Sequence, residues 1–89
     1  MYYVYVLQSI KDGDKYIGST NDLKKRLLLH NSGRVFSTRL RTPFELVYYE
    51  AYKSEKDARV REHNLKLRSK AYIQLRRRIV HSLSNLVRG

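Results

Sequence analysis

The stretch KYIGSTNDLKKRLLLH, residues 15–30, predicts a strand that runs directly into a helix. KYIGST (15–20) carries strand-favouring residues, and Thr20 or Asn21 can cap the helix that follows. That helix is expected to run to Gly33, because glycine is favoured just after a helix C-terminus. A phenol, a guanidinium and an imidazole therefore lie around one strand–helix junction.

Helical spacing places the guanidinium and the imidazole on one row. The apolar stripe of this helix consists of Leu23, Leu27 and Leu28. Asp22, in the first turn, Arg26 and His30 follow at intervals of four beside it, so the last two should border the buried face. Arg26 could stabilise charge on a phosphate, and His30 could bind the phosphate or relay a proton. A solvated helix face explains the pair equally well.

A hairpin before the helix is expected to bring two tyrosines together. YYVYVLQS (2–9) is apolar on both faces and predicts a central strand, and Asp-Gly in KDGDK (11–15) predicts a turn. Tyr5 and Tyr16 would then be close on paired strands. A phenol beside a cation such as Arg26 could take a proton from water, although tyrosines are also ordinary strand residues.

Two further residues suggest a ligand site. Gly18, at the end of the second strand, would let a ligand or another backbone approach closely. Glu62 lies on the same helix side as Ala58 and Leu65, where a carboxylate is costly to bury without a cation. That cation could be Mg²⁺, which often uses one or two carboxylates with substrate phosphate. Taken alone, a salt bridge is the simpler explanation, and its candidate partners are Arg26, Arg61 and Lys66.

The other segments complete an α+β fold in one domain, residues 1–89: a small three-stranded antiparallel sheet flanked by helices, in the order β-β-α-β-α-α. RVFSTRLRTPFE (34–45) predicts a basic loop and ELVYYEAY (45–52) a third strand. A capping-box pattern starts a helix over roughly 55–68, and an amphipathic basic helix follows over 70–89. Its stripe, which could finish the core or bind a partner, is Tyr72, Leu75, Ile79, Leu83 and Leu86.

The composition favours a polyanionic partner. The chain has 19 Lys and Arg against 8 Asp and Glu, a net charge of +11, and a pI near 10.2. Such an excess is typical of nucleic-acid binding. There is no cysteine, which excludes disulfides and thiolate metal sites. We expect neither a signal peptide nor a membrane span, and no Walker loop, G-x-G-x-x-G or G-x-S-x-G motif is present.

The ordered residues resemble the GIY-YIG endonuclease superfamily. VYV (4–6) stands at the first signature, with Tyr5 as its tyrosine, and YIG (16–18) matches the second signature letter for letter. NDLKKRLLLHN (21–31) is similar to the family's helix with arginine and histidine at the functional positions. REHNLK (61–66) is similar to the helix that carries the metal-binding glutamate.

The resemblance covers about residues 2–70. TRLRTPFELVYYE (38–50) also resembles the small stand-alone members related to the nuclease domain of the excision-repair protein UvrC. Two features depart from the family pattern. The first signature lacks its glycine, and Ser19 follows YIG where some members have lysine. The active-site asparagine of some members has no equivalent that the sequence identifies.

The resemblance implies metal-dependent hydrolysis of DNA phosphodiester bonds. Tyr16 or Tyr5 would activate water, while Arg26 would stabilise the pentavalent phosphate. His30 would support the phosphate or the tyrosine, and one Mg²⁺ or Mn²⁺ held by Glu62 would assist the leaving oxygen. DNA contacts are expected from Gly18, Ser19, Arg34, Arg39, Arg41, Lys66, Arg76, Arg77 and Arg78.

The implied enzyme is cytoplasmic, is either structure-selective or non-specific toward DNA, and serves repair or recombination. No small-molecule cofactor or membrane partner is expected, and a homodimer could form through the last helix. The alternative function is a non-catalytic basic module of the same fold that binds DNA or RNA. Metal-dependent cleavage separates these alternatives.

Overall fold

The computed structural model describes residues 1–83. It confirms the α+β fold and the order β-β-α-β-α-α. The elements are β1 (Tyr2–Ser9), β2 (Lys15–Thr20), α1 (Leu23–Asn31), β3 (Phe44–Tyr52), α2 (Glu55–Lys66) and α3 (Lys70–Arg78). Within the described residues, no helix has the length and apolar character that crossing a membrane requires.

The sheet has β1 at its centre, as its apolar character on both faces predicts. The strand order is β2-β1-β3, with both pairings antiparallel. In the β1–β2 register, Tyr5 lies opposite Gly18 and Leu7 opposite Tyr16. Because side chains alternate along a strand, these four residues share one face of the sheet. Because β2 is at the end of the strand order, it pairs with another strand of the described residues on one side only.

Two hydrophobic clusters cover the two faces of the sheet. On one face, Tyr5 and Leu7 pack with Phe44, and α1 covers them through Leu23 and Leu27. On the other face, α2 and α3 cover the alternate positions of β1 and β2. That larger cluster contains Val4, Val6, Ile17, Ala58, Leu65, Tyr72, Leu75 and Ile79.

Helix α1 differs from its sequence prediction at its start and on its buried face. Neither Thr20 nor Asn21 is the cap; Asp22 is, and its carboxylate accepts from the Lys25 N–H at 3.1 Å. The backbone is still extended at this aspartate, so its side chain can reach back to the first turn. Leu28 is 64% exposed, because α1 faces the sheet with Leu23, Leu27 and His30. Gly33 follows the helix at φ +76°, as predicted.

Helix α3 is shorter than predicted and its stripe belongs to the core. It ends at Arg78, and the chain then tightens into a turn in which the Ser82 N–H donates to the Ile79 carbonyl at 2.8 Å. This turn lays Leu83 against the core. The stripe therefore completes the core over the described residues, while Leu86 and the rest of the expected helix lie outside them. A dimer through this helix stays a prediction.

Candidate active site

The Tyr5 ring lies across Gly18 of the neighbouring strand. A Cβ built on Gly18 would lie 2.6 Å from the ring carbon that carries the Tyr5 hydroxyl, closer than real contacts allow. Glycine at this position therefore lets a side chain of the central strand reach over the edge strand. The close approach predicted at Gly18 is made by the protein itself, inside β2 and not at its end.

The Tyr5 hydroxyl joins a buried hydrogen-bonded chain on the α1 side of the sheet. Its oxygen lies 2.9 Å from Nε2 of His30, and Nδ1 of His30 lies 2.8 Å from Oγ1 of Thr38. His30 and Thr38 have no exposed surface, and Tyr5 is 2% exposed. The histidine predicted at the border of the helix face is thus part of the interior.

Arg26 connects this buried chain to the surface. Its Nε–H donates to the Tyr5 oxygen at 3.4 Å, a long hydrogen bond, and its side chain is half-buried. Tyr16 is also half-buried, with its ring 6.4 Å from that of Tyr5 and 4.9 Å from that of His30. The structure therefore brings together the two tyrosines, the arginine and the histidine that the sequence singled out.

Burial controls the protonation of this cluster. It raises the pKa of Tyr5, although the hydrogen bond from Arg26 opposes that effect. It lowers the pKa of His30 to about 4, with the Arg26 charge adding to the shift. Arg26 itself has a raised pKa, chiefly because it donates to Tyr5. At neutral pH the cluster holds a neutral imidazole, a neutral Tyr5 phenol and one cation.

Glu62 approaches β2 from the other face of the sheet. Its carboxylate accepts from the Ser19 hydroxyl at 2.5 Å and pairs with the Lys66 ammonium at 2.7 Å. Burial disfavours the charge, yet these two hydrogen bonds outweigh it and hold the pKa of Glu62 below its usual value. The Glu62 charge also contributes to the raised pKa of Tyr5, so the two halves of the site influence each other across the edge strand.

A second polar cluster fixes the helix that carries Glu62. Arg61, the preceding residue, donates to both oxygens of Glu50 on β3 at 2.9 to 3.2 Å. Glu50 also accepts from the hydroxyls of Tyr48 and Tyr52. Three side chains thus satisfy one half-buried carboxylate, whose charge Arg61 neutralises, and Arg61 ties α2 to the sheet at the turn where Glu62 is placed.

The side chains at Glu62 fit a divalent ion that takes most of its ligands from water and substrate phosphate. The described residues contain no group of three or more His, Cys, Asp or Glu side chains that could hold a metal. One carboxylate beside one hydroxyl matches the way Mg²⁺ binds through few carboxylates, water and substrate phosphate. It does not match a closed metal cage. A bound ion would have to replace Lys66, which is 49% exposed and can move aside.

The predicted DNA-binding arginines divide into three groups. Arg34 and Arg39 are exposed on the loop after α1, on the side of the hydrogen-bonded cluster. Arg41 is only partly exposed and pairs with Asp12 at 3.1 Å and Asp14 at 3.8 Å. Arg41 thus clamps the loop to the β1–β2 turn. The exposed residues Arg76, Arg77 and Arg78 belong to α3, which covers the opposite face, so the structure does not bring them to Arg26.

Thr38 is the site residue that sequence reasoning missed. It lies in a segment without periodicity, among arginines and exposed apolar residues, where nothing marks a buried hydroxyl. Its position comes from the turn, in which the Thr38 N–H donates to the Val35 carbonyl at 3.1 Å. Thr38 follows His30 by eight residues, on the far side of a helix end. This spacing corresponds to no known motif, so the sequence offers no signal for Thr38.

Comparison with known proteins gives one family and a set of bacterial relatives. A model described as the GIY-YIG catalytic domain matches residues 1–78. A "UPF0213 protein" of Bacillus pumilus is 46% identical over 66 residues, which is 73% of this chain and 66% of that protein. One from Streptococcus pneumoniae is 43% identical over 65 residues, 72% of this chain and 65% of that protein.

A third such protein, from Clostridium perfringens, is 43% identical over 67 residues, 74% of this chain and 71% of that protein. The chain thus spans just under two thirds of the length of the first two relatives. No solved structure matches it.

Proposed function

Because the chain belongs to the GIY-YIG catalytic domain family, a family of nucleases, we propose that it is a metal-dependent endonuclease that hydrolyses DNA phosphodiester bonds. The observation that carries the proposal is the pairing of two chemically distinct half-sites at the edge strand β2. An arginine–phenol–imidazole cluster lies on one face, and an ionised carboxylate lies on the other. Phosphate charge and a metal cation would each find a complementary group there.

The cationic half-site would bind the phosphate. Arg26 is half-buried, its Nε–H donates to Tyr5, and a hydrogen bond to Tyr16 also helps to raise its pKa. A guanidinium held at one end in this way is preorganised to stabilise charge that develops on phosphate oxygens. The buried phenol and imidazole would hold the guanidinium in place.

Tyr16 is the better candidate to contact the attacking water. A general base must come within hydrogen-bonding reach of the proton it takes. Tyr5 is 2% exposed and already bonded to His30 and Arg26, whereas Tyr16 is half-buried and faces the same cluster. The proposal therefore assigns the water contact to Tyr16 and the support of Arg26 to Tyr5.

Glu62 would hold the single divalent ion, Mg²⁺ or Mn²⁺, with water and phosphate as its other ligands. When bound, such an ion polarises the phosphate and stabilises the leaving oxygen. Ser19 would keep the carboxylate oriented, since its hydroxyl already donates to Glu62. Lys66 would release the carboxylate on metal binding and could then contact the DNA backbone.

The surface charge suits binding that does not read base sequence. Arg34 and Arg39 could contact phosphates, and such contacts position DNA without specifying bases. Selection would then come from DNA structure, as in repair or recombination. The relatives are bacterial, and the proposal places the protein in the cytoplasm, where bacterial DNA lies.

A cleavage assay with matched carboxylate variants tests the proposal. We expect the purified protein to nick supercoiled plasmid, or to cut flap or junction DNA, only with Mg²⁺ or Mn²⁺. Glu62→Gln should lower the rate at least about a hundredfold, since a metal contributes several kcal/mol to the transition state. Glu55→Gln, which removes the same charge from the first turn of the same helix, should leave the rate unchanged.

Retained cleavage by folded Glu62→Gln would remove the metal role from this residue. The alternative, a binding module without catalysis, draws on the fact that Ser19 and Lys66 already satisfy Glu62 without a metal. Salt-sensitive DNA or RNA binding with no cleavage under either metal would establish it. Competition between DNA and RNA substrates would identify the preferred nucleic acid.

A further inference from the structure

Thr38 ends a hydrogen-bonded chain that has a defined direction. The Thr38 hydroxyl lies 3.4 Å from the Val35 carbonyl oxygen, which can only accept. If the threonine proton points there, its oxygen is left to accept from Nδ1–H of His30 at 2.8 Å. The ring is neutral at pH 7, so one nitrogen donates and the other accepts.

The same direction follows from the other end of the chain. Arg26 has no acceptor, so its Nε–H must donate to the Tyr5 oxygen. The Tyr5 proton then needs an acceptor, and Nε2 of His30 at 2.9 Å is the one the described residues provide. Both ends therefore favour the proton of His30 on Nδ1 and a lone pair on Nε2.

We propose that Thr38 is a positioning residue that fixes this tautomer of His30. With the proton on Nε2 instead, Tyr5 would accept from His30, and its own buried proton would lose its partner. The phenol would have to turn to satisfy that proton. The acceptor lone pair that holds Arg26 would turn with it, so a buried threonine on a loop controls the guanidinium at the surface.

The energetic argument rests on burial. Thr38 and His30 are fully buried, so water cannot replace a lost partner. An unpaired buried donor costs roughly 1–3 kcal/mol. Replacing the threonine hydroxyl by a methyl group leaves Nδ1–H unpaired in the interior. Moving the proton to Nε2 lets the ring donate to Tyr5 instead, and the displaced Tyr5 proton can turn toward the half-buried side of the cluster, where Arg26 reaches the surface. The tautomer should therefore change when the hydroxyl is removed.

The test is the long-range ¹H–¹⁵N spectrum of the histidine rings, recorded at pH 7 without DNA or metal. His63 and His81 are exposed and serve as internal references. We expect His30 to carry its proton on Nδ1 in the wild type and in Thr38→Ser, and on Nε2, wholly or in part, in Thr38→Val. A wild-type proton on Nε2 would overturn the proposal without any variant.

Ser9→Ala separates tautomer control from general loosening of the loop. The buried Ser9 hydroxyl donates to the Arg41 carbonyl at 2.6 Å and so anchors the same loop without touching His30. This variant should lower stability and leave the His30 proton on Nδ1. The proposal fails if Ser9→Ala moves the proton as Thr38→Val does, or if Thr38→Val keeps it on Nδ1.

The catalytic consequence rests on the proposed function and is measured separately. Thr38→Val should lower kcat about 10- to 100-fold, the range known for residues whose hydrogen bond orients a metal-bound histidine, with KM little changed. Thr38→Ser should restore kcat to within a few-fold of wild type. An unchanged kcat in Thr38→Val, with its tautomer altered, would refute the link to Arg26. If the wild type does not cleave DNA, the spectrum still decides the tautomer.

Discussion

Acidification should destabilise this protein through His30. The ring is fully buried and its pKa lies at about 4, against 6.5 in a model peptide, because burial and the nearby Arg26 charge disfavour the imidazolium. Above pH 6.5 both the folded and unfolded states are neutral at this residue. As the pH falls from 6.5 to 4, only the unfolded state gains the proton, so the free energy of unfolding decreases. The difference between 6.5 and about 4, at about 1.4 kcal/mol per pH unit, gives a loss of about 3 kcal/mol.

Urea unfolding between pH 7 and pH 4 measures this loss against a His30→Gln reference. The free energy of unfolding also decreases when carboxylates such as Glu62, whose pKa is lowered in the folded protein, become protonated. The wild-type curve alone therefore does not isolate the contribution of the histidine. We expect the wild type to lose about 3 kcal/mol more than His30→Gln across this interval. Parallel curves would show that the folded ring titrates as the unfolded one does. If the variant does not fold, an NMR titration of the wild-type ring gives the pKa directly.

Two other predictions concern the two faces of β2. Gly18→Ala should displace the Tyr5 ring and destabilise the fold by about 1–3 kcal/mol, the usual cost of overpacking; thermal unfolding at wild-type stability would contradict the observed approach. Lys66→Met should raise the Mn²⁺ affinity of DNA-free protein up to about fivefold, since an exposed ion pair contributes at most about 1 kcal/mol. Lys56→Met, the same charge change on an exposed residue of α2, is the control, and equal affinities of the two variants by Mn²⁺ EPR would refute competition at Glu62.

The sequence predicted the architecture because its periodicities are local. Alternation and helical spacing identified the strands and helices, and β1 was recognised as central from its apolar character on both faces. Tyr5, Arg26 and His30 meet because β1 pairs with β2, β2 leads directly into α1, and α1 packs on the sheet face that carries Tyr5.

The predictions from sequence are wrong, or miss a residue, where tertiary contacts override the local pattern of apolar and charged residues. Leu28 fits a helical stripe but is exposed, because His30 takes the buried position on α1. Arg41 belongs to a basic run, yet two aspartates across the hairpin turn bind it. Thr38 is a buried residue of the same loop, which Arg41 fastens to the hairpin turn. The residue pattern within one segment does not predict the contacts that this segment makes with a distant one.

The approach of Tyr5 over Gly18 has a consequence for the motions of the site. Tyr5 is rooted in β1, the strand hydrogen-bonded on both sides, whose amides should exchange with solvent only when the whole domain unfolds. Its hydroxyl nevertheless lies over the edge strand. Fraying of the edge strand thus leaves in place the backbone that carries Tyr5, and the phenol stays attached to the part of the sheet that opens last.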